Sequence, residues 1–150
     1  HRSPGLFGGA APGDGEMVRS CLEQTGLWEL RDQPITALSG GQLQRVFLAR
    51  VFAQDPKIIL LDEPTNHLDL KYQIELMEQL LRWVAQGDRC VVGVLHDVNL
   101  ALNYADQLLL MQEGRALCQT SAQALDPALL DQIYGLDVRG YMRSALKRWE

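Results

Sequence analysis

Residues 38–69 open with the sequence LSGGQ (38–42) and close with IILLDEPTNHLD (58–69). The first motif is a turn of small residues that begins a helix. The second is a short apolar strand that ends in two adjacent carboxylates and is followed by a turn. Each motif alone is common in unrelated proteins, whereas the pair at this separation is specific, so the prediction of fold and function starts from residues 38–69.

The first motif predicts an anion-binding site at a helix N-terminus. Ser39 is a favourable N-cap and Gln42 lies three residues later, so the pair predicts a capping box for a helix over about residues 41–53. Free N–H groups and a partial positive charge at such a terminus attract phosphate, and Gly40 and Gly41 let the backbone approach a ligand closely. Taken alone, the motif is also compatible with a helix start that binds nothing.

The second motif predicts a catalytic pair of carboxylates. The apolar run Lys57–Leu61 is typical of a strand covered on both faces, and the carboxyl ends of such strands are where α/β sheets bind ligands. Successive strand side chains point to opposite sides, so the two acids receive different roles. Asp62 is predicted to hold Mg²⁺ through water, and Glu63 to polarise an attacking water. A solvated acidic turn is the alternative.

The chain after the second motif predicts a strand–helix–strand unit. Asp69 is a candidate N-cap for a helix over about residues 70–86, and residues 90–95 form a second buried strand. A right-handed crossover between parallel strands brings both carboxyl ends to one edge of the sheet. His96 then lies near Glu63, where it is able to contact a γ-phosphate or orient the attacking water. A polar strand terminus without a role is the alternative for this histidine.

The rest of the chain predicts helices and one hairpin around this unit. A loop is expected over residues 1–15, which contain two prolines and five glycines. The further elements are a helix from Asp14 to about Gln24 closed by Gly26, a helix from Asp97 to about Ala105, strands 107–111 and 116–119 around a tight turn, a helix after Asp126-Pro127 that ends at Gly135, and a short amphipathic helix within 141–150. The fold class is therefore α/β, with a mostly parallel sheet flanked by helices.

The composition is that of an ordinary globular protein of 150 residues, with 47% hydrophobic and 22% charged residues. A net charge of −5 gives no footprint for nucleic acid. The odd number of widely spaced cysteines, Cys21, Cys90 and Cys118, predicts reduced, buried thiols and neither a disulfide framework nor a metal site. No apolar run approaches membrane-spanning length and no signal peptide is expected, so any membrane association is expected to occur through a protein partner.

Together the two motifs resemble the signature motif, Walker B strand and D-loop of ATP-binding-cassette (ABC) ATPases. The resemblance implies the C-terminal part of an ABC ATPase domain, a P-loop NTPase fold, as a single partial domain. Its expected parts are a helical subdomain over about 14–54, a catalytic core over about 57–120 and C-terminal helices over about 121–150. The resemblance also implies that residues 39–42 close on the γ-phosphate held by another protomer, that Asp69 contacts that protomer, and that His96 is the switch histidine.

Two branches of this family share the sequence DEPTNHLD (62–69), which is also typical of cytosolic ABC proteins that act on ribosomes without a permease. Residues 95–106, the ending Ile133-Tyr134-Gly135 and the short Arg2-Ser3-Pro4 segment instead resemble the ATPase subunits of bacterial importers for siderophore-iron, haem and cobalamin. This branch implies ATP and Mg²⁺ as cofactors. It also implies a homodimer docked on two transmembrane permease subunits at the cytoplasmic face of the inner membrane, and an extracytoplasmic substrate-binding protein.

The chain departs from this family at the phosphate-binding loop. Nowhere does it contain Gly-x-x-x-x-Gly-Lys followed by Ser or Thr, the loop whose N–H groups and lysine hold the β- and γ-phosphates. The first residue is His1 and not Met, so we expect the C-terminal part of a longer ATPase, inactive by itself and with one strand edge unpaired. A cytosolic, permease-free ABC protein and a non-catalytic remnant are the alternatives.

Overall fold

The computed structural model describes residues 13–66 and 68–149. Contacts within the chain divide it into two compact units, His1–Leu95 and His96–Glu150. Most of the loop expected over residues 1–15 lies outside the described residues, as do Arg2-Ser3-Pro4 and His67, and Asp14 already begins the first helix. The division into a helical subdomain, a core and C-terminal helices stays a prediction.

The first unit contains three α-helices and two strands in its described residues. They are α1 (Asp14–Gln24), α2 (Gly40–Phe52), β1 (Ile58–Asp62), α3 (Leu70–Val84) and β2 (Cys90–Val94), with short 3₁₀ turns at Trp28–Leu30 and Ile35–Ala37. Each helix and strand begins and ends within one or two residues of its predicted position. The chain leaves α1 as predicted: Gly26 has a φ of 67°, and the Leu27 N–H donates to the Leu22 carbonyl at 2.7 Å.

Strands β1 and β2 form a two-stranded parallel sheet, and α3 connects them. The register pairs Ile58 with Cys90 at one end and Asp62 with Val94 at the other. The carboxyl ends of both strands therefore lie at the same edge, as the strand–helix–strand prediction required.

The core of the first unit lies between its helices and one face of the sheet. The buried residues that form it are Cys21, Leu27, Leu48, Ala49, Phe52, Ile59, Leu76, Leu80 and Trp83. The rings of Phe52 and Trp83 stack with centroids 5.8 Å apart. Arg89 lies over the Trp83 ring and donates to Asp55 Oδ1 at 2.6 Å, so the loops that precede β1 and β2 are joined beside the core.

The opposite face of the sheet is open. Strand alternation places Ile58, Leu60, Val92 and Val94 on this face, and they are 61%, 77%, 56% and 52% exposed. Ile59, which points the other way into the core, is 4% exposed. The prediction that both strands are covered on two faces is therefore wrong for the described residues, because the helices of this unit pack on one side of the sheet.

All three cysteines are free. Cys21 is buried, and desolvation together with the nearby Asp55 carboxylate raises the pKa of its thiol. The prediction of buried thiols is wrong for Cys90, which is exposed on the open face of the sheet, and Cys118 is half-buried. A strand residue in an apolar run is exposed when nothing covers its face.

The second unit contains three α-helices and an antiparallel hairpin in its described residues. They are α4 (Val98–Tyr104), β3 (Gln107–Gln112), β4 (Arg115–Ser121), α5 (Pro127–Tyr134) and α6 (Val138–Leu146), with a 3₁₀ turn at Ala122–Ala124. Glu113 and Gly114 join the strands with φ angles of 49° and 75°, as in a type I′ turn. Helix α6 begins at Val138, earlier than the helix expected within 141–150, because Asp137 caps it by accepting from the Gly140 N–H at 2.7 Å.

The described residues thus form an α/β structure, as predicted. They contain the predicted parallel strand pair, β1 and β2, and the predicted hairpin, β3 and β4, as a separate antiparallel sheet. Within residues 13–66 and 68–149, no helix is both long enough and apolar enough to cross a membrane.

Candidate functional site

The N-terminus of α2 has the geometry that the first motif predicts. Ser39 Oγ accepts from the Gln42 N–H at 3.3 Å, and the Ser39 N–H donates to Gln42 Oε1 at 2.8 Å, which confirms the capping box. The box uses two of the N–H groups that a helix start leaves without intrahelical partners. Those of Gly40 and Gly41 remain, and no hydrogen bond between described residues uses them. This terminus is therefore able to bind an anion.

Gly40 and Gly41 are glycines for different physical reasons. A Cβ at Gly40 would have no atom within 4 Å, so this position is open to a ligand. A Cβ at Gly41 would lie 2.8 Å from the ring of Tyr72, so Gly41 is required for the packing of α2 against α3. The motif predicts that both glycines let the backbone approach a ligand closely. At Gly41 the close neighbour is instead the Tyr72 side chain, and only Gly40 of the two faces open space.

Tyr72 connects the start of α2 with the start of α3. Asp69 Oδ1 accepts from the Tyr72 N–H at 3.0 Å, which confirms Asp69 as the N-cap of α3. The ring of the same tyrosine packs on Gly41. The signature turn, defined here as residues 39–42, and Asp69 are therefore held together by one residue.

Asp62 and Glu63 lie at the end of β1 in different conformations. Asp62 is the last strand residue, and its exposed side chain lies on the open face of the sheet. Glu63 has left the strand with a φ of 46°, a left-handed conformation that few non-glycine residues adopt. Its N–H donates to the Val94 carbonyl at 3.2 Å, and its carboxylate accepts from the Asn66 amide. The two acids therefore have distinct surroundings. The difference arises because Glu63 lies in a turn, and not from the alternation of strand side chains.

A glutamine on α3 holds the segment that follows β1, whose described residues 63–66 and 68 we call the Glu63 turn. Gln73 Nε2 donates to the Thr65 carbonyl at 3.2 Å and to the Leu68 carbonyl at 3.1 Å. Thr65 itself is 5% exposed. The turn is therefore attached to the first helical turns of α3.

A second glutamine reaches the Glu63 turn from α2. Gln44 Nε2 donates to the Pro64 carbonyl at 3.4 Å, across 20 positions of sequence. Sequence reasoning missed both glutamines. The position of Gln73 one helical turn beyond the Asp69 cap was the available signal for one of them, whereas the contact of Gln44 depends on how α2 packs and has no signature in motif spacing.

His96 follows the last residue of β2 by two positions and is exposed. It begins the second unit, next to a well-capped helix: Asp97 Oδ1 accepts from the N–H groups of Asn99 at 2.7 Å and Leu100 at 3.2 Å. The capping role predicted for Asp97 is confirmed. The proximity of His96 to Glu63 stays a prediction.

The acidic residues fit a magnesium ion that arrives with a nucleotide. Mg²⁺ in such sites is bound through one or two carboxylates, and phosphates and waters complete its coordination. Asp62 offers one exposed carboxylate at a strand end. Among residues 13–66 and 68–149, no group of three or more His, Cys, Asp or Glu side chains is placed to hold a metal.

Known proteins are similar in sequence to this chain. A family model described as "ABC transporter" matches residues 11–66. Over 127 residues the chain is 44% identical to the achromobactin transport ATP-binding protein CbrD of Dickeya dadantii. The aligned region covers 84% of this chain and 47% of that protein. Over 131 residues it is 42% identical to the hemin import ATP-binding protein HmuV of Pseudomonas putida, with coverage of 83% and 51%.

Solved structures with a similar fold include two components of ABC transporters. CbiO1 of Clostridium perfringens, part of the ABC transporter complex CbiONQ, matches with a TM-score of 0.73 at 29% identity, covering 93% of this chain and 53% of that one. The ADP conformation of MJ1267, an ATP-binding cassette of an ABC transporter, matches with a TM-score of 0.74 at 25% identity, covering 86% and 52%. The chain spans about half the length of the curated relatives it matches.

Proposed function

We propose, because the chain belongs to the family of ABC transporter ATP-binding proteins, that it forms part of an ATPase that drives the import of a metal chelate. One observation carries the proposal. The same unit contains a helix N-terminus at Gly40 that is open to an anion, and a carboxylate held in a left-handed turn at Glu63. An ATPase needs groups that bind phosphate and a group that orients the attacking water. The chain spans about half the length of its curated relatives, so the proposal places it in a longer protein, called the full-length protein, that also contains a phosphate-binding loop.

Glu63 acts on the attacking water in this proposal. Its carboxylate accepts a hydrogen bond from that water, while the Asn66 amide and the turn keep the carboxylate in one orientation. Asp62 would hold Mg²⁺ through water, and His96 would contact the γ-phosphate or orient the same attacking water. When bound, the ion neutralises negative charge on the phosphates.

The signature turn serves a second nucleotide, held by the partner protomer of a homodimer. The N–H groups of Gly40 and Gly41 bind that γ-phosphate, because the capping box occupies those of Ser39 and Gln42. The Ser39 hydroxyl keeps its proton for donation, as does the Gln42 amide group. Asp69 joins the same interface, since Tyr72 holds it beside the signature turn.

The transport role is inferred from the names of the relatives. Those proteins are named for achromobactin transport and hemin import, so the proposed substrate class is siderophore-iron or haem. Cobalamin is included because the importers that residues 95–106 resemble also carry it. The partners are then two transmembrane permease subunits and, indirectly, an extracytoplasmic binding protein. The ATPase subunit itself lies at the cytoplasmic face of the inner membrane. Recovery of the full-length protein with ribosomes, and not with permease-containing membranes, would favour the cytosolic branch of the family instead.

We also propose that the 150-residue chain does not hydrolyse ATP by itself. It contains no Gly-x-x-x-x-Gly-Lys sequence. Without the N–H groups and lysine of that loop, Glu63 has no phosphate-bound water to act on. ATP hydrolysis by the purified chain that disappears in its Glu63→Gln variant would contradict this proposal.

The test of the function is Glu63→Gln in the full-length protein. Loss of the water-orienting carboxylate should lower the ATPase rate by at least about 100-fold, while ATP affinity stays unchanged because the amide is neutral and of equal size. Steady-state ATPase assays and equilibrium ATP binding measure the two quantities.

The matched control is Glu78→Gln, because Glu78 is an exposed glutamate of α3 that pairs with Arg82 at 3.6 Å. Its ATPase rate should equal that of the wild type. Wild-type turnover in Glu63→Gln would refute Glu63 as the residue that activates water.

A further inference from the structure

The Glu63 turn contains a backbone conformation that residues other than glycine disfavour. A left-handed φ, 46° at Glu63, is unfavourable for a residue with a Cβ and persists where surrounding contacts fix it. Three main-chain hydrogen bonds contribute: Glu63 N–H to the Val94 carbonyl, Asn66 N–H to the Glu63 carbonyl, and Leu68 N–H to the Thr65 carbonyl, at 3.2, 3.1 and 3.3 Å. These bonds lie within the turn or reach β2, and none of the three ties the turn to a helix.

Gln73 makes the connection to α3. Its Nε2 carries two protons, and the two acceptors, the carbonyls of Thr65 and Leu68, lie 3.2 and 3.1 Å away. The amide therefore fixes two carbonyls that are three residues apart. The helix that carries Gln73 is itself anchored by the Asp69 cap, so the glutamine has a defined position from which to hold the turn.

The contact from α2 is weaker. Gln44 Nε2 lies 3.4 Å from the Pro64 carbonyl, close to the upper limit for a hydrogen bond, and it reaches one carbonyl and not two. Gln73 is therefore the side chain whose removal should release the turn most.

We propose that Gln73 is a positioning residue for the Glu63 carboxylate, an inference that rests on the proposed function. Gln73 acts through the turn: it fixes the Thr65 and Leu68 carbonyls, and Asn66, which lies between them, donates to the Glu63 carboxylate. Loss of the amide lets the turn relax and moves the carboxylate away from its water. The effect falls on turnover and not on ATP affinity.

The kinetic test compares Gln73→Leu with wild type in the full-length protein. Misplacing the carboxylate should lower kcat about tenfold, while KM and the dissociation constant for ATP change by less than about twofold. Gln73→Met, which is unbranched and lacks the donor, gives the same comparison should the leucine variant fold poorly. The matched control is Gln54→Leu, because Gln54 is an exposed glutamine whose Nε2 donates within its own helix end, to Arg50 at 3.3 Å.

Two further readouts separate positioning from general destabilisation. Hydrogen exchange at the Asn66 and Leu68 amides should accelerate about fivefold or more in Gln73→Leu, with no change at these amides in Gln54→Leu. In a Glu63→Gln background, Gln73→Leu should cause no additional loss of turnover, because the group through which it acts is already absent.

The outcomes distinguish this inference from the function on which it rests. Wild-type turnover in Glu63→Gln refutes the proposed function, and the role of Gln73 with it. Loss of turnover in Glu63→Gln together with wild-type kcat in Gln73→Leu overturns the role of Gln73 alone. A tenfold loss that persists in the Glu63→Gln background also overturns it, since Gln73 would then act through another group.

Discussion

Gly40 and Gly41 are adjacent, yet the structure places different demands on them. Gly40 is the first residue of α2, and an added Cβ there would meet nothing within 4 Å. An added Cβ at Gly41 would meet the Tyr72 ring at 2.8 Å. One glycine is therefore required by the ligand that we propose, and the other by the packing of two helices.

These demands predict opposite effects of alanine on stability. Gly41→Ala should lower the free energy of unfolding of the full-length protein by about 1–3 kcal/mol, because the Tyr72 ring has to move. Gly40→Ala should leave it unchanged or raise it by up to about 1 kcal/mol, since alanine favours the helix. Urea unfolding monitored by circular dichroism measures both.

The variants Gly40→Ala and Gly41→Ala also distinguish an effect on unfolding free energy from an effect on ATP turnover. Gly40→Ala should still slow ATP turnover, because its methyl group would occupy the space through which, in our proposal, phosphate approaches the Gly40 N–H. Wild-type turnover in Gly40→Ala would count against the anion site, and equal stability losses in the two variants would count against the packing role of Gly41.

Caps could be predicted from the sequence because they are local. Ser39, Asp69 and Asp97 each accept from an N–H two or three residues later, so the residue type and its place before an apolar pattern suffice. Gln44 and Gln73 could not be predicted in this way. Their acceptors are fixed by how α2 and α3 pack around the Glu63 turn, which residue spacing does not encode.

At the scale of elements, helix positions and the parallel strand pair were predictable, and strand burial was not. The apolar run in β1 predicts two covered faces, but Leu60 is 77% exposed while Ile59 is 4% exposed. Alternation of side chains determines which residues share a face, whereas coverage depends on other segments that pack there. The pattern gave the first property correctly and the second wrongly.

The loops that precede β1 and β2 are joined by a single side chain. Arg89, 21% exposed, donates to Asp55 Oδ1 and to Gln86 Oε1, each at 2.6 Å, and its guanidinium lies 4.9 Å from the centroid of the Trp83 ring. Asp55 has a left-handed φ of 46°, as Glu63 has, so its loop also needs external contacts to persist.

Arg89→Ala should therefore lower the free energy of unfolding by about 1–2 kcal/mol, with the ion pair partly screened because the Asp55 side chain is 60% exposed. Arg89→Lys should restore only part of the loss, since an ammonium group lacks the planar fork and stacks less well on tryptophan. Chemical denaturation of the full-length variants measures both effects.

The control for this prediction is Arg82→Ala, whose exposed ion pair with Glu78 spans 3.6 Å along α3. It should change stability by less than about 0.5 kcal/mol. An Arg89→Ala variant as stable as Arg82→Ala would show that the two loops do not depend on this side chain.

At the scale of the whole molecule, the exposed apolar face of the parallel sheet is consistent with a chain that matches only about half the length of its relatives. Parallel strands are normally covered on both faces, and Ile58, Leu60, Val92 and Val94 form an apolar surface on one of them. The chain spans about half the length of its curated relatives. In the full-length protein we expect this surface to be covered.

The central claim is that the two motifs of residues 38–69 serve different nucleotides. In this proposal, Glu63 acts on the nucleotide of its own protomer, and the signature turn completes the site of the partner. Glu63→Gln removes the first function. Gly40→Asp removes the second, because it places a carboxylate at the anion-binding terminus, where an added Cβ meets no atom within 4 Å and the fold should remain intact.

The most direct test is to mix these two inactive variants of the full-length protein. Each mixed dimer would contain one intact site, built from Glu63 of the Gly40→Asp protomer and the signature turn of the Glu63→Gln protomer. Random exchange of subunits in an equal mixture should therefore restore about a quarter of the wild-type ATPase rate. A mixture no more active than either variant alone would show that both motifs serve the same nucleotide, which contradicts the account.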